Sequence, residues 1–378
     1  MDSNNLWRKC RTLVGGIGVA FAGLAMSAPQ IRVALWKGEE KITVSGPSLV
    51  FQFSDPRFET LYPDETVITL AGSAEGFQMG RNFFPQHIVT IRSKEASPLT
   101  LGGKQFRGSI EVQRNDQGKL LVINEIPLED YLVGLVQSEI ASTWPAEALK
   151  AQAVAARTYA LYRQKQRQGV KSLYDLESTT DDQVYNGLKP NDASVTEAVR
   201  QTQGEVLWYF GYFPAYFHSC CGGMTEVTAH VWNKKDVSVS VVDPFCQRAP
   251  YFHWEYRISN FDLLKILKQQ GLEGKRIVHV TPTPFDNTPR AETVEIKTDL
   301  STLYVRATDL RNWMGTQQLR STWFEAAVGP RETVFRGLGY GHGVGLCQWG
   351  AKGMSEVGKS YKDILKFYYP KAEMRKMY

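Results

Sequence analysis

The 378-residue sequence lacks a long apolar run beyond residue 25. A membrane-spanning helix needs about 20 consecutive, mostly apolar residues, and no later stretch reaches that length. The sequence also lacks clustered charge, because its basic residues are scattered although the net charge is +5. Nothing in it resembles a nucleic-acid-binding motif. These absences argue against later membrane spans and predict that nucleic acid is not a partner.

Cysteine is scarce too, with five residues, and the first of them, Cys10, lies near the N-terminus. Basic residues there precede an apolar run from Leu13 to Ala25, which is the pattern of a secretory signal. We therefore expect residues 1–28 to be a signal peptide or an N-terminal anchor. The protein is then expected to be extracytoplasmic: secreted, periplasmic or anchored to a membrane. The remaining cysteines allow more than one pairing.

Short alternating runs, such as IRVALW, KITVSG and HIVTIRS, fill residues 29–100. Alternation with β-branched residues favours strands, so we predict a small β-rich N-terminal domain there. A predicted hairpin then leads into a second domain at residues 101–378. The expected fold class is α+β: a helical core around a long central helix, with β hairpins and mixed strands, plus the N-terminal domain.

The strongest pattern runs from Ile126 to Tyr162 and predicts two successive helices. Apolar residues recur at helical spacing in the first, and Pro127 suits its first position. The second begins at Pro145 and is rich in alanine, whose small side chain lets neighbouring elements approach closely. It is therefore the predicted central helix. Glu139 falls on the apolar stripe of the first helix.

A carboxylate on an apolar face is either catalytic or structural. Burial raises its pKa, as a general acid working near neutral pH requires. Alternatively, Glu139 pairs with Arg157 of the second helix, or lies at the exposed end of a finished stripe. Structural carboxylates outnumber catalytic ones, so the pattern alone favours a structural Glu139.

A series of motifs resembles the stage II sporulation protein D family, which includes the amidase enhancers, and stands in that family's order over about residues 100 to 370. The motifs are PLEDYLVGLVQSEI from Pro127, WPAEALKAQAVAARTYAL from Trp144, QVYNG from Gln183, FHSCCGGMTE from Phe217, LRSTWF from Leu319 and GLGYGHGVGLCQWGAKGM from Gly337. The stretch PTPFDNTPRAETVEI departs from the glycine-arginine turn more usual in the family. The resemblance marks residues 101–378 as the catalytic domain.

The resemblance implies that Glu139 is the catalytic residue of a peptidoglycan lytic transglycosylase. It would protonate the glycosidic oxygen between N-acetylmuramic acid and N-acetylglucosamine, then accept a proton from the muramoyl 6-hydroxyl. Ordinary glycosidases use two carboxylates; here the substrate's own hydroxyl replaces water, which leaves a 1,6-anhydro end. The expected partner is the glycan strand of peptidoglycan, with a preference for strands stripped of stem peptides.

The resemblance also points to substrate contacts. Gln183 and Tyr185 of the QVYNG motif are candidate sugar contacts. Alternate glycines in the last motif leave one face open to close approach, and His342 is expected beside Glu139. Arg157 is expected to hold Glu139 or the substrate. The expected substrate-binding residues are Arg157, Gln183, Tyr185, His342 and Gln348.

Histidines and cysteines are dense between His218 and His253, which invites a zinc site because zinc favours both. Their spacing matches no standard ligand pair. A disulfide between Cys221 and Cys246 is favoured in an oxidising compartment, because it would close a loop that carries a family motif. A structural zinc held by His218, Cys220, Cys221 and Cys246 is the second choice. Otherwise no metal or cofactor is expected.

Two other functions stay open. The first is a non-catalytic protein that binds the cell wall and enhances an N-acetylmuramoyl-L-alanine amidase, its partner, with Glu139 structural. The resemblance does not separate this function from transglycosylation, since both are attached to the same motifs. The second is a thiol or zinc hydrolase that uses Cys221 or Cys347 with His218 or His342.

Overall fold

The structure is a computed structural model that describes residues 28–63, 66–179, 182–189, 193–234 and 236–378. Residues 1–27 lie outside this part of the chain, and with them Cys10 and nearly all of the predicted signal peptide or anchor. Among the described residues, no helix is both long enough and apolar enough to cross a membrane.

Helices and strands are interleaved along the chain. The helices are α1 (Leu128–Glu139), α2 (Ala146–Gly169), α3 (Ala193–Gln201), α4 (Thr228–Trp232), α5 (Asn260–Lys268), α6 (Ala307–Met314), α7 (Gln348–Glu356) and α8 (Tyr361–Tyr368). The strands are β1 (Gln30–Glu39), β2 (Lys41–Gly46), β3 (Leu49–Phe53), β4 (Glu59–Tyr62), β5 (Thr66–Gly72), β6 (Phe77–Met79), β7 (Asn82–Phe84), β8 (Ile88–Ser93), β9 (Leu99–Leu101), β10 (Lys104–Phe106), β11 (Ser109–Arg114), β12 (Leu120–Pro127), β13 (Leu176–Glu177), β14 (Glu205–Trp208), β15 (Phe217–His218), β16 (His253–Ser259), β17 (Ile277–Pro284), β18 (Ala291–Thr298), β19 (Thr302–Arg306), β20 (Phe324–Val328), β21 (Glu332–Leu338), β22 (Leu346–Cys347) and β23 (Glu373–Lys376).

Two sheets form the N-terminal part of the molecule, with strand orders β13-β1-β12-β11-β8-β3-β4 and β10-β9-β2-β5-β6-β7. In β11, Ile110 and Val112 are buried while Glu111 between them is partly exposed, so apolar side chains fill one face. The predicted domain boundary at residue 100 falls inside β9. Because β1 pairs with β12 and β8 pairs with β11, strands from both sides of that boundary share one sheet.

The two predicted helices form, and α2 is the central one. It packs against α1, α3, α7 and α8, and nearly every residue from Ala148 to Leu161 is buried. Pro127 and Pro145 lie one position before the first helical residue, with extended ψ angles of 137° and 142°. The predicted α+β fold with a long central helix is confirmed.

The C-terminal part adds two three-stranded sheets, β16-β21-β20 and β17-β18-β19, which share an apolar core with α5 and α6. A short parallel pair, β15 with β22, places His218 opposite Cys347. This pairing brings the FHSCCGG segment beside the glycine-rich motif, although the two are far apart in sequence. The side chains of both segments then meet those of α1 and α2.

Candidate functional site

A cleft of about 1000 Å³ is lined by residues of α1, α2, α4 and α6 and of the glycine-rich motif. Acidic, basic and aromatic side chains share its wall with two histidines. The lining includes Glu139, Tyr159, Arg163, Asp182, Val184, Tyr216, His218, Trp232, Lys234, Arg306, Thr308, Asp309, Arg311, His342 and Gln348.

Glu139 is the last residue of α1, which ends there because Ile140 is extended, with φ −137° and ψ 156°. One carboxylate oxygen accepts a hydrogen bond from the Val184 N–H at 3.1 Å, and the other accepts from the Gln348 amide at 3.3 Å. Burial raises the pKa of Glu139, and the two hydrogen bonds only partly oppose this shift. The negative end of α1 also disfavours the ionised form. Glu139 therefore holds a proton closer to neutral pH than an ordinary glutamate does.

Gln348 is the first residue of α7 and connects Glu139 to the central helix. Its amide nitrogen lies 3.3 Å from Oε2 of Glu139 and 3.5 Å from Oε1 of Gln152. By donating to the carboxylate, Gln348 fixes its orientation and favours its ionised form. This residue, predicted from the last motif, thus lies directly beside Glu139.

Two histidines line the cleft, and their ring centres are 5.5 Å apart. Nδ1 of His342 accepts from the Val344 N–H at 3.0 Å, whereas Nδ1 of His218 lies 3.1 Å from the Val344 carbonyl and donates to it. Burial, with Arg290 nearby, lowers the pKa of His218 to about 3, and burial also lowers the pKa of His342. Both rings are neutral near pH 7, so they can orient a hydroxyl but cannot provide positive charge. His342 shares the cleft with Glu139.

Asp182 is a second carboxylate in the cleft, but it is already engaged. Its oxygens accept from the Tyr159 hydroxyl at 3.0 Å and from the Glu177 N–H at 2.9 Å, and Arg163 Nε lies 2.6 Å away. Such a charge-assisted network fixes the carboxylate in place. Asp182 is therefore not free to act as a base. Asp309, in the first turn of α6, also lines the cleft.

Other parts of the wall suit a sugar. The rings of Tyr216 and Trp232 are 4.5 Å apart and present a flat apolar surface with polar edges. Within the described ranges, Thr308 Oγ1, Arg311 Nε and His218 Nε2 are buried and have no hydrogen-bond partner. An unpaired buried polar group costs about 1–3 kcal/mol. A ligand that pairs these atoms would therefore gain affinity.

Arg157 does not hold Glu139, which corrects the sequence-based expectation. Its guanidinium is fully buried and donates to both oxygens of Glu129, at 2.8 and 2.7 Å, and to the Glu205 carbonyl at 3.1 Å. Glu129 and Glu139 lie near opposite ends of α1, about 15 Å apart along the helix axis. Arg157 therefore stabilises the other end of this helix and does not reach the cleft.

Gln183 and Tyr185 are also not positioned as sugar contacts. They are 1% and 2% exposed, respectively, and lie beneath the cleft wall. Gln183 accepts from the Tyr131 hydroxyl at 3.1 Å, and the Tyr185 hydroxyl donates to Asn124 at 3.0 Å. Successive side chains of an extended segment point to opposite faces. Residues 183 and 185 therefore anchor the segment, while residues 182 and 184 between them face the cleft.

The four cysteines that the structure describes are free and buried, so the predicted disulfide is not formed. The sulfurs of Cys221 and Cys246 are 3.5 Å apart, whereas a disulfide bond measures about 2.0 Å. The alternative zinc set with His218 is not the one that the fold assembles, because Asp243 and Cys347 join Cys221 and Cys246 instead. Cys347 is fully buried, and burial raises its pKa, which argues against a thiol nucleophile.

Three residues of the site were missed by sequence reasoning: Val184, Trp232 and Arg311. Val184 acts through its main-chain N–H, for which its side chain gives no signal. Trp232 and Arg311 lie on short helices outside the quoted motifs. Period-two alternation along residues 182–185 is the one signal that could have placed position 184 toward the cleft.

Comparisons with known proteins agree with the motifs. A family model described as stage II sporulation protein matches residues 116–209, and a domain of unknown function matches residues 232–345. An uncharacterized protein of Brachyspira hyodysenteriae is 36% identical over 346 residues, which cover 90% of this chain and 91% of that protein.

Two relatives carry descriptive names. Stage II sporulation protein D of Bacillus amyloliquefaciens is 29% identical over 321 residues, which cover 80% of this chain and 89% of that protein. The amidase enhancer of Bacillus subtilis is 31% identical over 330 residues, which cover 72% of this chain but 44% of that relative. By its motifs, its family model and these relatives, the chain belongs to the stage II sporulation protein D and amidase-enhancer family.

Proposed function

We propose that this protein is a peptidoglycan lytic transglycosylase that cleaves the bond between N-acetylmuramic acid and N-acetylglucosamine. The observation that carries the proposal is Glu139, a desolvated carboxyl group with neutral hydrogen-bond donors in a large polar cleft. The names of the relatives, a sporulation protein and an amidase enhancer, support a cell-wall role. Such a role fits the expected extracytoplasmic location.

In this reaction Glu139 acts first as an acid and then as a base. The protonated carboxyl donates to the glycosidic oxygen as the bond from that oxygen to C1 of the muramoyl residue breaks. The muramoyl 6-hydroxyl attacks C1, and its proton passes to the carboxylate, which restores the starting state. No water is consumed. The raised pKa suits the first step, and the donors from Val184 and Gln348 stabilise the carboxylate that exists between the steps.

A single free carboxyl group is enough for this chemistry. A hydrolytic glycosidase would need a second carboxylate as base or nucleophile. Asp182 is held by Arg163 and Tyr159, so it fits that role poorly. Asp309 is the other acidic residue whose substitution must be tested, because it lines the same cleft.

The basic side chains of the cleft favour glycan without stem peptides. Removal of the peptide leaves a free lactyl carboxylate on each muramoyl residue. Arg311 has a buried Nε without an acceptor in the described chain, and Lys234 and Arg306 line the same wall. Charge-assisted hydrogen bonds to a carboxylate are stronger than neutral ones. Stripped strands are therefore the preferred substrate under this proposal.

A second candidate function is that of a non-catalytic enhancer of an N-acetylmuramoyl-L-alanine amidase. The similarity to the amidase enhancer of Bacillus subtilis favours it. Under this alternative, Glu139 has only a structural role, and the cleft binds glycan without cleaving it. The amidase is then the partner.

Mass analysis of the products tests the proposal. The purified protein and Glu139→Gln are incubated with intact and with peptide-stripped glycan strands, and circular dichroism verifies that the variant is folded. Anhydromuramoyl ends from the parent, faster from stripped strands, and none from the variant are expected. Uncut glycan from both proteins, together with a faster amidase reaction when either is added, would favour the enhancer.

A further inference from the structure

A group of buried thiols lies in the core beside the cleft. One oxygen of Asp243 and the sulfurs of Cys221, Cys246 and Cys347 all lie within 4.8 Å of one another. Within this group, the Cys221 and Cys246 sulfurs are 3.5 Å apart, and the Cys221 sulfur is 3.1 Å from Asp243 Oδ2. A tetrahedral zinc ion with sulfur ligands at about 2.3 Å places those ligands about 3.8 Å apart. Small side-chain shifts would therefore suffice to enclose an ion.

The fold directs hydrogen-bond donors at these sulfurs. Cys347 caps the N-terminus of α7, and its sulfur accepts from the N–H groups of Cys221 and Gly350, each at 3.3 Å. Amide donors and a helix N-terminus stabilise a thiolate much more than a neutral thiol. Hydrogen bonds from the three neighbouring thiols also hold the pKa of Cys246 well below its ordinary value. The surroundings thus favour thiolates, the form that binds metal.

Gly350 shows how tightly the group is packed. A Cβ atom at this position would lie 1.9 Å from the Tyr368 hydroxyl and 2.3 Å from Asp243 Oδ2. The Tyr368 hydroxyl and the Phe245 N–H donate to Asp243, at 2.9 and 2.8 Å. These contacts hold one carboxylate oxygen against the thiols.

Burial and charge explain why such a group needs a cation. Asp243 and the three cysteines are fully buried among apolar side chains. Arg290, also buried, donates to the Cys221 carbonyl at 2.7 Å, while its Nε and Nη1 find no acceptor in the described part of the chain. One guanidinium compensates for only part of the charge of three thiolates and a carboxylate. A divalent ion would compensate for most of the rest.

A disulfide accounts for less of this arrangement. A bond between Cys221 and Cys246 would use two sulfurs and leave Cys347 with its two N–H donors and Asp243 without a counter-charge. Mixed thiolate and carboxylate ligands in a closed tetrahedral set suit zinc. We propose that Cys221, Asp243, Cys246 and Cys347 bind one structural zinc ion, with Cys220 and His218 outside the ligand set.

Such an ion would act on the cleft through α7. It would join the FHSCCGG segment, the loop at Asp243 and the start of α7, where Gln348 follows Cys347 and donates to Glu139. Zinc would therefore be a positioning element for Gln348 and not a catalytic group. The metal site can be tested apart from the proposed function, because occupancy and thiol number do not depend on glycan cleavage.

The test uses the full chain with Cys10→Ser, purified without chelator or reductant, so that only the four described cysteines contribute. Elemental analysis is expected to find about one zinc per chain, and all four thiols should react after unfolding in chelator. Exchange for cobalt should give a thiolate-to-cobalt charge-transfer band. Absence of bound metal, with two thiols unreactive until reduction, would overturn the proposal in favour of a disulfide.

Matched variants test the ligand set. Asp243→Asn and Cys347→Ser are expected to lose the zinc, whereas Cys220→Ser, an equally buried neighbour, keeps it. Thermal unfolding of the parent with and without chelator covers the case in which a ligand variant fails to fold, and chelator should lower the midpoint. Loss of zinc from Cys220→Ser with retention by Asp243→Asn would replace the proposed set by four cysteines. Equal zinc in all variants would contradict any site here.

Discussion

The two ends of α1 carry carboxylates with opposite environments. Glu129, in the first turn, pairs with the buried guanidinium of Arg157 through two hydrogen bonds. Glu139, in the last turn, accepts from a main-chain N–H and a neutral amide. An ionic partner stabilises a charge and makes a carboxylate structural, whereas neutral donors and burial leave it able to exchange a proton. This difference, and not helical position or sequence pattern, marks Glu139 as the acid.

The largest expected effect is on catalysis, from Glu139→Gln. Loss of a general acid slows a reaction by roughly 10²- to 10⁴-fold, so kcat should fall by at least that much while the fold is retained. Rates of release of anhydromuramoyl products measure the effect. Asp309→Asn, which changes another carboxylate of the cleft, is the control and should keep most of the activity. Loss of activity in the control alone would move the acid to α6.

At the other end of the helix, Glu129→Gln should mainly affect stability. It leaves Arg157 buried without its anionic partner, which typically costs about 3–5 kcal/mol. Urea unfolding measures the change. Asp130→Asn breaks the more exposed pair with Arg107 and should cost at most about 1 kcal/mol. Equal stability losses in the two variants would remove the contrast between a structural and a catalytic end.

Gln348→Ala sharpens the comparison, because it removes one of the two donors to Glu139. A hydrogen bond to a charged group contributes about 1.5–3 kcal/mol, so the rate should fall roughly 10- to 100-fold. The Gln348 hydrogen bond lowers the pKa of Glu139, so its loss should raise that pKa further. The alkaline limb of the pH–rate profile should therefore move to higher pH. An unchanged profile would show that Gln348 does not act through Glu139.

The raised pKa of Glu139 also predicts how stability depends on pH. The folded state holds this proton more tightly than the unfolded state does, so ionisation costs stability as pH rises through the folded-state pKa. The cost vanishes below the ordinary glutamate pKa of about 4.3. Glu139→Gln should therefore be more stable than the parent at neutral pH and equally stable below about pH 4. A parent that is the more stable at neutral pH would indicate a structural carboxylate.

The smallest effect is expected from Tyr185→Phe, which removes the hydrogen bond to Asn124 beneath the cleft. Stability should fall by about 1 kcal/mol, with KM and kcat unchanged. A large rise in KM without loss of stability would restore Tyr185 as a sugar contact.

Local patterns predicted what local physics determines. The apolar stripe of α1 and the alanines of α2 are dense, regular signals, and both helices form where they were expected. Motif order also placed His342 and Gln348 in one cleft with Glu139. These residues lie at the ends of regular elements or in glycine-rich turns, where the backbone leaves little choice.

Contacts between distant segments were not predictable from the sequence. Arg157 was expected to reach Glu139, but the partner of a side chain on a central helix depends on which face meets α1. Cys347 meets Cys221 only because β15 and β22 pair in parallel. The predicted domain boundary at residue 100 failed to separate units for the same reason, since β1 pairs with β12.

The central claim is that Glu139 acts without a second carboxylate because the substrate supplies the nucleophile. The most direct test is to run the cleavage in water enriched in heavy oxygen and to analyse the new muramoyl ends by mass. The account predicts ends that lack one water and carry no heavy oxygen. Heavy oxygen at C1 would show attack by water and would contradict the account.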